Sequence, residues 1–197
     1  MTQTTRESLI LAARELLWER GYESTSPKAI MSAAGVGQGS FYHHFPSKRD
    51  LAAAAFEETA DELIASLAAV FDEEKPALRR VEDWLSAPRD ALAGCKLGRL
   101  ALERSVLEDD VLRRPLVRYF KAAEKALRAA LAEAKSEGQL LPGIDPDYLA
   151  TTLLTVVQGS YVVSRAHRDA DKLSEAVRGA LALLDNSKTS RPRQRRV

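Results

Sequence analysis

The side chains best suited to chemistry in this sequence lie on a short predicted helix near residue 40. They are the hydrogen-bonding groups of Gln38, Ser40, Tyr42, His43 and His44. A helix that presents small hydrogen-bonding side chains fits the major groove of DNA, where base edges offer donors, acceptors and methyl groups. The pattern therefore predicts a surface that reads duplex DNA. The alternative is a helical hairpin with two surface histidines, because this geometry also occurs in proteins that never contact DNA.

The residues around this surface could hold it against a duplex. Phe41 and Phe45 are four residues apart, so both can point inward from one side of the helix. Gly37 and Gly39 keep the start of the helix thin, which allows its backbone to approach DNA closely. Lys48 falls in the first turn of the next helix, where backbone N–H groups already favour a phosphate.

The elements that must position these residues form a predicted helix-turn-helix. Ser26 can cap a short helix whose first position is Pro27, where a missing N–H costs nothing. Gly35 ends that helix, and the next covers about residues 37–43. A buried stripe predicts an earlier helix from Thr4 or Thr5 to Gly21.

The rest of the chain is also predicted to be helical. A long helix starts at Ser47, with Asp50 in a capping-box position, and runs to about residue 73. Further helices are predicted over 77–93, 96–106, 110–137, 146–168 and 171–185. The sequence has 31 Ala and 27 Leu against 4 Ile and 12 Val, which favours helices over pleated strands. We therefore predict an all-α fold.

Composition and charge exclude several protein classes. The 197 residues carry a formal net charge of +1 and are 45% hydrophobic, values typical of a globular protein. The single cysteine, Cys95, excludes an intrachain disulfide and a multi-cysteine metal site. The first 20 residues do not resemble a signal peptide, and the most apolar stretch is too short and polar to cross a bilayer. A cytoplasmic location is expected.

The last residues, 186–197, carry five basic side chains and no acidic ones. Little apolar content and a proline predict a disordered tail. This tail is either a frayed terminus or a basic arm that adds nonspecific attraction to nucleic acid.

The run from Gly21 to Leu51, GYESTSPKAIMSAAGVGQGSFYHHFPSKRDL, resembles the DNA-binding domain of TetR-family transcriptional regulators. The matching positions are Gly21-Tyr22, Ile30, Ala34-Gly35-Val36, Gly39-Ser40, Tyr42, Phe45, Ser47-Lys48 and Asp50-Leu51. Two positions depart from the family pattern, Gly37 where serine is frequent and Met31 where alanine is usual.

The resemblance implies a ligand-responsive repressor that binds a palindromic operator as a homodimer and is released by a small molecule. Residues 4–50 would form the helix-turn-helix domain, and 51–185 the effector-binding and dimerisation domain. The expected DNA-binding residues are Ser26, Lys28, Gly37, Gln38, Gly39, Ser40, Tyr42, His43, His44 and Lys48.

Apolar stripes on the last two helices predict the dimer contact. Their members are Leu153, Val157, Ser160, Leu173, Val177, Leu181 and Leu184. Such stripes are equally compatible with a core inside one chain.

Residues of the middle segment are candidates for the effector pocket. They are Trp84, Cys95, Leu97, Leu100, Phe120, Glu124, Gln158 and Tyr161. A core role explains most of them equally well. Cys95 resembles a sensor cysteine of one TetR subgroup, and Lys96 and Arg99 could lower its pKa at a helix start. The alternative is a buried, inert thiol.

The sequence gives little support to an enzyme. It has no H-x-x-x-H or H-E-x-x-H spacing, no P-loop and no G-x-S-x-G motif. We expect no cofactor and no metal. A helical dimer that contacts only protein remains the second hypothesis.

Overall fold

The computed structural model describes residues 4–72 and 74–189, and these residues confirm the predicted all-α fold. They form α-helices, one 3₁₀ helix and a single isolated bridge between Leu140 and Lys188. The α-helices are α1 Thr5–Arg20, α2 Pro27–Ala34, α3 Gln38–His44, α4 Lys48–Phe71, α5 Ala77–Ser86, α6 Arg104–Leu107, α7 Asp110–Ser136, α8 Pro146–His167 and α9 Asp171–Asn186. The 3₁₀ helix is Gly98–Leu102. Among these described helices, none has the length and apolarity that a membrane span requires.

Local capping explains the limits of the first helices. The Thr4 hydroxyl accepts the Glu7 N–H, and the Glu7 carboxylate accepts the Thr4 N–H at 2.8 Å. The Ser26 hydroxyl caps α2 by accepting the Ala29 N–H at 3.1 Å. Gly35 ends α2 with φ +66°, a left-handed conformation that side chains with a Cβ disfavour. These ends agree with the sequence prediction.

The predicted helix over 77–93 is wrong, because α5 already ends at Ser86. Pro88 disfavours helical backbone at the residue before it, and Ala87 has the extended value ψ 140°. The Arg89 guanidinium then donates to the Leu85 and Ala87 carbonyls, both at 2.8 Å, and to the Trp84 carbonyl.

The predicted helix over 96–106 is also wrong. The segment forms the 3₁₀ helix and the single-turn helix α6, with an extended residue, Glu103, between them. Glu103 has φ −100° and ψ 120°, and its carboxylate accepts backbone N–H groups near the end of α1. These tertiary hydrogen bonds override the helical preference of the local sequence.

The described residues fold into two compact units. Unit 1 comprises residues up to Ser66 together with Ala93–Ala122, and its core includes Leu9, Leu17, Ile30, Phe41, Leu51 and Leu97. Unit 2 comprises Leu67–Leu92 together with residues from Ala123 on. Its core includes Val81, Leu85, Leu127, Leu131, Leu153 and Leu184.

The end of the described chain is attached to unit 2. The Leu141 N–H donates to the Ser187 carbonyl, and the Thr189 N–H donates to the Gln139 carbonyl, both at 2.9 Å. The Lys188 ammonium donates to Glu82 at 2.7 Å. Asn186 to Thr189, assigned to the tail by sequence, are therefore part of the fold, and residues 190–197 lie outside the described residues.

Candidate nucleic-acid interface

Two buried aromatic rings hold α3 on the body of unit 1. Phe41 is fully buried, and Phe45, which follows the helix, is 4% exposed. The Arg6 guanidinium lies 5.4 Å from the centre of the Phe45 ring. The other side of α3 therefore faces outward, as the sequence predicts.

The outward face of α3 carries the predicted groove-reading residues. Gln38, Gly39, Ser40 and His43 are exposed, and His44 is half-buried. Tyr42 is 49% exposed although its ring packs against Phe41 at 5.0 Å between centres. The face is polar and can donate and accept hydrogen bonds.

The predicted residues around α3 also lie on the surface. Ser26 and Lys28 are exposed at the start of α2, and Gly37 is exposed at the N-terminal end of α3. The Ser26 hydroxyl accepts the Ala29 N–H, and a hydroxyl can donate at the same time. These positions suit contacts to phosphate oxygens, which position a protein on DNA.

Lys48 is half-buried and has a structural role. Its ammonium donates to the carbonyls of Tyr22 and Thr25 at 3.0 and 3.1 Å, and lies 4.1 Å from the centre of the Tyr22 ring. Burial lowers the pKa of Lys48, while the nearby charges of Glu103 and Glu23 oppose that shift. A third N–H of the ammonium can still donate to a phosphate.

The turn that Lys48 contacts is also bound by Glu103. Glu103 Oε1 accepts the Tyr22 N–H at 2.9 Å, and Oε2 accepts the Glu23 N–H at 2.7 Å. Sequence reasoning missed Glu103, because its partners lie 80 and 81 residues away and no spacing rule connects them. In the sequence, Glu103 stood out only as one position of the predicted 96–106 helix, which the structure does not contain.

Arg49, next to Lys48, pairs with Asp109, the residue just before α7. The Arg49 guanidinium donates to both oxygens of Asp109, at 2.9 Å for Oδ1. Asp109 Oδ1 also accepts the N–H groups of Val111 and Leu112. The hydrogen bonds from Arg49, followed by those backbone groups, lower the pKa of Asp109 to about 2.

The predicted dimer residues are not on the surface. Leu153, Val157, Ser160, Leu173, Val177 and Leu184 are buried inside the single chain, and Leu181 is half-buried. The stripes on α8 and α9 form a core within one chain, and the dimer contact stays a prediction. The same periodicity arises in both cases.

A different face of α8 is exposed and carries no charge. Its residues are Tyr148, Thr151, Thr152, Thr155, Gly159, Val162, Val163 and Ala166. They lie along one side of the helix and extend over about 27 Å at 1.5 Å per residue. Val162 is 57% exposed, and so is Leu183 on α9. The face is uncharged but of mixed polarity, because its residues include three threonines as well as two valines, an alanine and a tyrosine.

The predicted pocket residues fall in both units. Cys95, Leu97, Leu100 and Phe120 belong to unit 1, whereas Trp84, Glu124, Gln158 and Tyr161 belong to unit 2. Trp84, Leu97 and Leu100 are buried, and Glu124 lies 3.9 Å from Arg128. Their common role as an effector site stays a prediction.

Cys95 is buried at 8% exposure, and its Sγ accepts the Gly98 N–H at 3.3 Å. Lys96 pairs with Glu62 at 3.6 Å and lies over the Trp18 ring, while Arg99 donates to the Trp18 carbonyl at 2.8 Å. Both cations therefore have partners of their own. The expected α-helix start is absent from residues 95–97, since the 3₁₀ helix begins at Gly98.

Comparison with known proteins decides the family. Residues 9–55 match the family model described as "Bacterial regulatory proteins, tetR family". Residues 76–180, more than half of the chain, match "Tetracyclin repressor-like, C-terminal domain".

The chain belongs to the TetR family.

Relatives of similar length support this assignment. The transcriptional regulator AcuR of Cereibacter sphaeroides is 31% identical over 180 residues, covering 87% of this chain and 81% of AcuR. The HTH-type transcriptional repressor DhaR of Mycobacterium sp. strain GP1 is 28% identical, with 86% and 87% covered. The crystal structure of a regulatory protein TetR from Rhodobacter sphaeroides is 27% identical and covers 95% of this chain and all of that one, with a TM-score of 0.80.

Membership confirms the predicted function class. This TetR-family chain is a ligand-responsive, DNA-binding transcriptional regulator, and the family is made up of regulators rather than enzymes. TetR-family regulators bind DNA and act as dimers. Among the described residues, no group of three or more His, Cys, Asp or Glu side chains is arranged to hold a metal.

Proposed function

We propose that this TetR-family regulator is a cytoplasmic repressor that binds a palindromic operator as a homodimer and is released by a small apolar molecule. Residues 4–50 bind DNA, and residues 51–185 bind the effector and form the dimer. The observation that carries the proposal is the exposed polar face of α3 above the buried rings of Phe41 and Phe45.

The exposed residues divide into two kinds of DNA contact. Gln38, Ser40, Tyr42 and His43 read base edges from α3, where amide, hydroxyl and imidazole groups can match donors and acceptors. Ser26, Lys28 and Lys48 contact phosphates, with the thin backbone at Gly37 and Gly39 allowing a close approach. His44, which is half-buried at the C-terminal end of α3, also faces the groove and phosphates.

The uncharged face of α8 and the neighbouring surface of α9 form the dimer contact. Gly159 and Gly179, both exposed, allow two helices to approach closely. A two-fold dimer presents two copies of α3, which enter successive major grooves about 34–36 Å apart. This symmetry is the reason for expecting a palindromic operator.

Repression and effector release rest on the family and its relatives. DhaR and other relatives carry the name repressor. Apolar and aromatic residues such as Trp84, Phe120 and Tyr161 favour a lipophilic effector. The effector acts through its higher affinity for the DNA-free arrangement.

Selection of bound duplexes from a random DNA library tests the proposal. The wild-type protein should enrich a palindromic sequence, and His43→Ala should relax the preference at one position per half-site by about 1–3 kcal/mol. His167→Ala, which removes an exposed histidine at the end of α8, is the matched control and should keep the wild-type preference. A wild-type protein that enriches no sequence would contradict the proposed function.

A further inference from the structure

The turn between α1 and α2, residues 21–25, determines where the helix-turn-helix starts. It connects the end of α1 to Ser26, the residue that caps α2. The Thr25 hydroxyl, which is buried, donates to the Gly21 carbonyl at 2.6 Å. A shift of the backbone in this turn would therefore move the start of α2, and α3 follows α2 along the chain.

The backbone groups of this turn are held by two opposite charges. Its donors, the N–H groups of Tyr22 and Glu23, bind the Glu103 carboxylate at 2.9 and 2.7 Å. Its acceptors, the carbonyls of Tyr22 and Thr25, bind the Lys48 ammonium at 3.0 and 3.1 Å. Charge-assisted hydrogen bonds are about twice as strong as neutral ones, so this pair restrains both the donors and the acceptors of the turn.

Two further observations show that the local structure is adapted to Glu103. A Cβ added to Gly21 would lie 2.6 Å from Glu103 Oε1, and Gly21 has φ +89°. The contact is also reciprocal, because Glu23 Oε1 accepts the Ser105 hydroxyl at 2.8 Å. The extended backbone of Glu103, between the 3₁₀ helix and α6, places the carboxylate there.

We propose that Glu103 is a positioning residue for DNA binding, which holds the 21–25 turn in the arrangement that presents α2 and α3 to the duplex. Glu103 itself lies outside the matched DNA-binding segment 9–55 and carries the wrong charge to contact phosphate. The inference rests on the DNA-binding role proposed for α3.

The test compares Glu103→Ala with Glu108→Ala on a duplex that the wild-type protein has selected from a random library. Glu108 is an exposed acid on the same segment, paired with Arg104, so both variants gain one unit of net charge. Kd and the active fraction are measured separately, by equilibrium and stoichiometric titration. Glu103→Ala should raise Kd about tenfold if the competent arrangement falls to about one tenth of the population. Glu108→Ala should stay within about twofold of the wild type.

The salt dependence separates positioning from contact. The slope of log affinity against log salt should be the same in Glu103→Ala as in the wild type, because no phosphate contact is removed. Glu103→Gln keeps the shape but presents an amide NH₂ to one of the two N–H donors, so it should also raise Kd. In Glu103→Gln, hydrogen exchange should accelerate at the Tyr22 and Glu23 amides and stay unchanged at the core amides of α1.

Three results would overturn the inference. Glu103→Ala and Glu108→Ala could bind DNA with equal Kd, or Glu103→Gln could bind with the wild-type Kd. In the third, hydrogen exchange in Glu103→Gln would accelerate uniformly along α1. Uniform acceleration would show a role in global stability alone. If the wild-type protein selects no duplex, the proposed function fails first, so the two failures are distinguishable.

Discussion

Single residues in this regulator often serve the fold and the site together, and Lys48 is the clearest case. The ammonium is half-buried on the carbonyls of Tyr22 and Thr25, yet it lies in the first turn of α4, where a phosphate is favoured. We therefore expect Lys48 to contribute to DNA affinity in two ways, through its charge and through the turn it holds.

Lys48→Ala should weaken binding to all sequences and lower the salt slope by about 1, because one phosphate contact is lost. Lys121→Ala, on an exposed position of α7, removes the same charge elsewhere and should leave the slope unchanged. Anisotropy titrations at several salt concentrations measure the affinity and the salt slope of both variants. A Lys48→Ala protein with wild-type affinity and slope would remove Lys48 from the interface.

Asp109 makes stability depend on acid pH. Its pKa is about 2 in the folded chain, below the ordinary value of 3.8, so folding favours the charged form. The stabilisation is complete above the ordinary pKa and is lost as pH falls through 4 towards 2. The stability difference between wild type and Asp109→Asn should therefore shrink over that range. Urea unfolding at a series of pH values measures it, and a constant difference would contradict the assignment.

At the scale of elements, helix starts set by local caps were predictable, and a helix break set by distant residues was not. Thr4, Ser26 and Asp145 cap their helices through side chains that act within three residues, so the signal is local. The break at Glu103 depends on Tyr22 and Glu23, which no local pattern connects to it. Pro88 could have predicted the early end of α5, because its restriction of Ala87 is a local effect.

Periodicity identified the buried faces of α8 and α9 but not what buries them. Val157 and Leu184 satisfy a helical stripe whether the partner is the same chain or a second copy. The exposed face around Gly159 and Val162 is rich in threonine and lacks a strong apolar signal. The sequence therefore identified which faces of α8 and α9 are buried within the chain, and the face that forms the dimer remains a proposal.

The end of α8 contains the one positive φ among described non-glycine residues, Arg168 at φ +53°. Left-handed backbone costs a residue with a Cβ about 1 kcal/mol, so Arg168→Gly should raise the free energy of unfolding by about 0.5–1 kcal/mol. Thermal unfolding should show a rise of about 2–4 °C per kcal/mol for a chain of this size.

Gly138, at the end of α7 with φ +70°, provides the opposite control. Its added Cβ would meet no atom within 4 Å, so Gly138→Ala changes only the backbone preference and should destabilise by about 1 kcal/mol. If Arg168→Gly lowered the free energy of unfolding and Gly138→Ala left it unchanged, the expected preference for glycine at left-handed positions would be contradicted.

At the scale of the whole molecule, the uncharged face of α8 predicts how the dimer can be broken. Val162→Glu places a charge in the proposed contact, where an unpaired buried charge costs about 3–5 kcal/mol. Sedimentation should show monomers with an unchanged helical spectrum. Ala132→Glu adds the same charge at an exposed position of α7 and should remain dimeric. A dimeric Val162→Glu protein would exclude this face.

Effector release predicts a reciprocal coupling across the molecule. A lipophilic compound that weakens DNA binding by some factor must itself bind the DNA complex more weakly by the same factor. DNA titrations with and without the compound measure the first factor, and titrations of the compound into free and DNA-bound protein measure the second. Equal affinity for the two forms would exclude the mechanism. Release by electrophiles alone, abolished in Cys95→Ser, would replace a pocket with a thiol switch.

The two tryptophans of the chain divide between the compact units, with Trp18 in unit 1 and Trp84 in unit 2. Trp18 donates to the Gly94 carbonyl at 3.0 Å beside the Lys96 ammonium, and Trp84 lies under the Arg89 guanidinium. Each unit therefore carries its own intrinsic fluorophore in a distinct polar setting. The Trp84→Phe protein keeps Trp18, so its fluorescence would report the unfolding of unit 1. The Trp18→Phe protein keeps Trp84 and would report the unfolding of unit 2. Coincident emission curves would mean that the regulator unfolds as a single cooperative body, and separated curves would mean that each unit unfolds by itself.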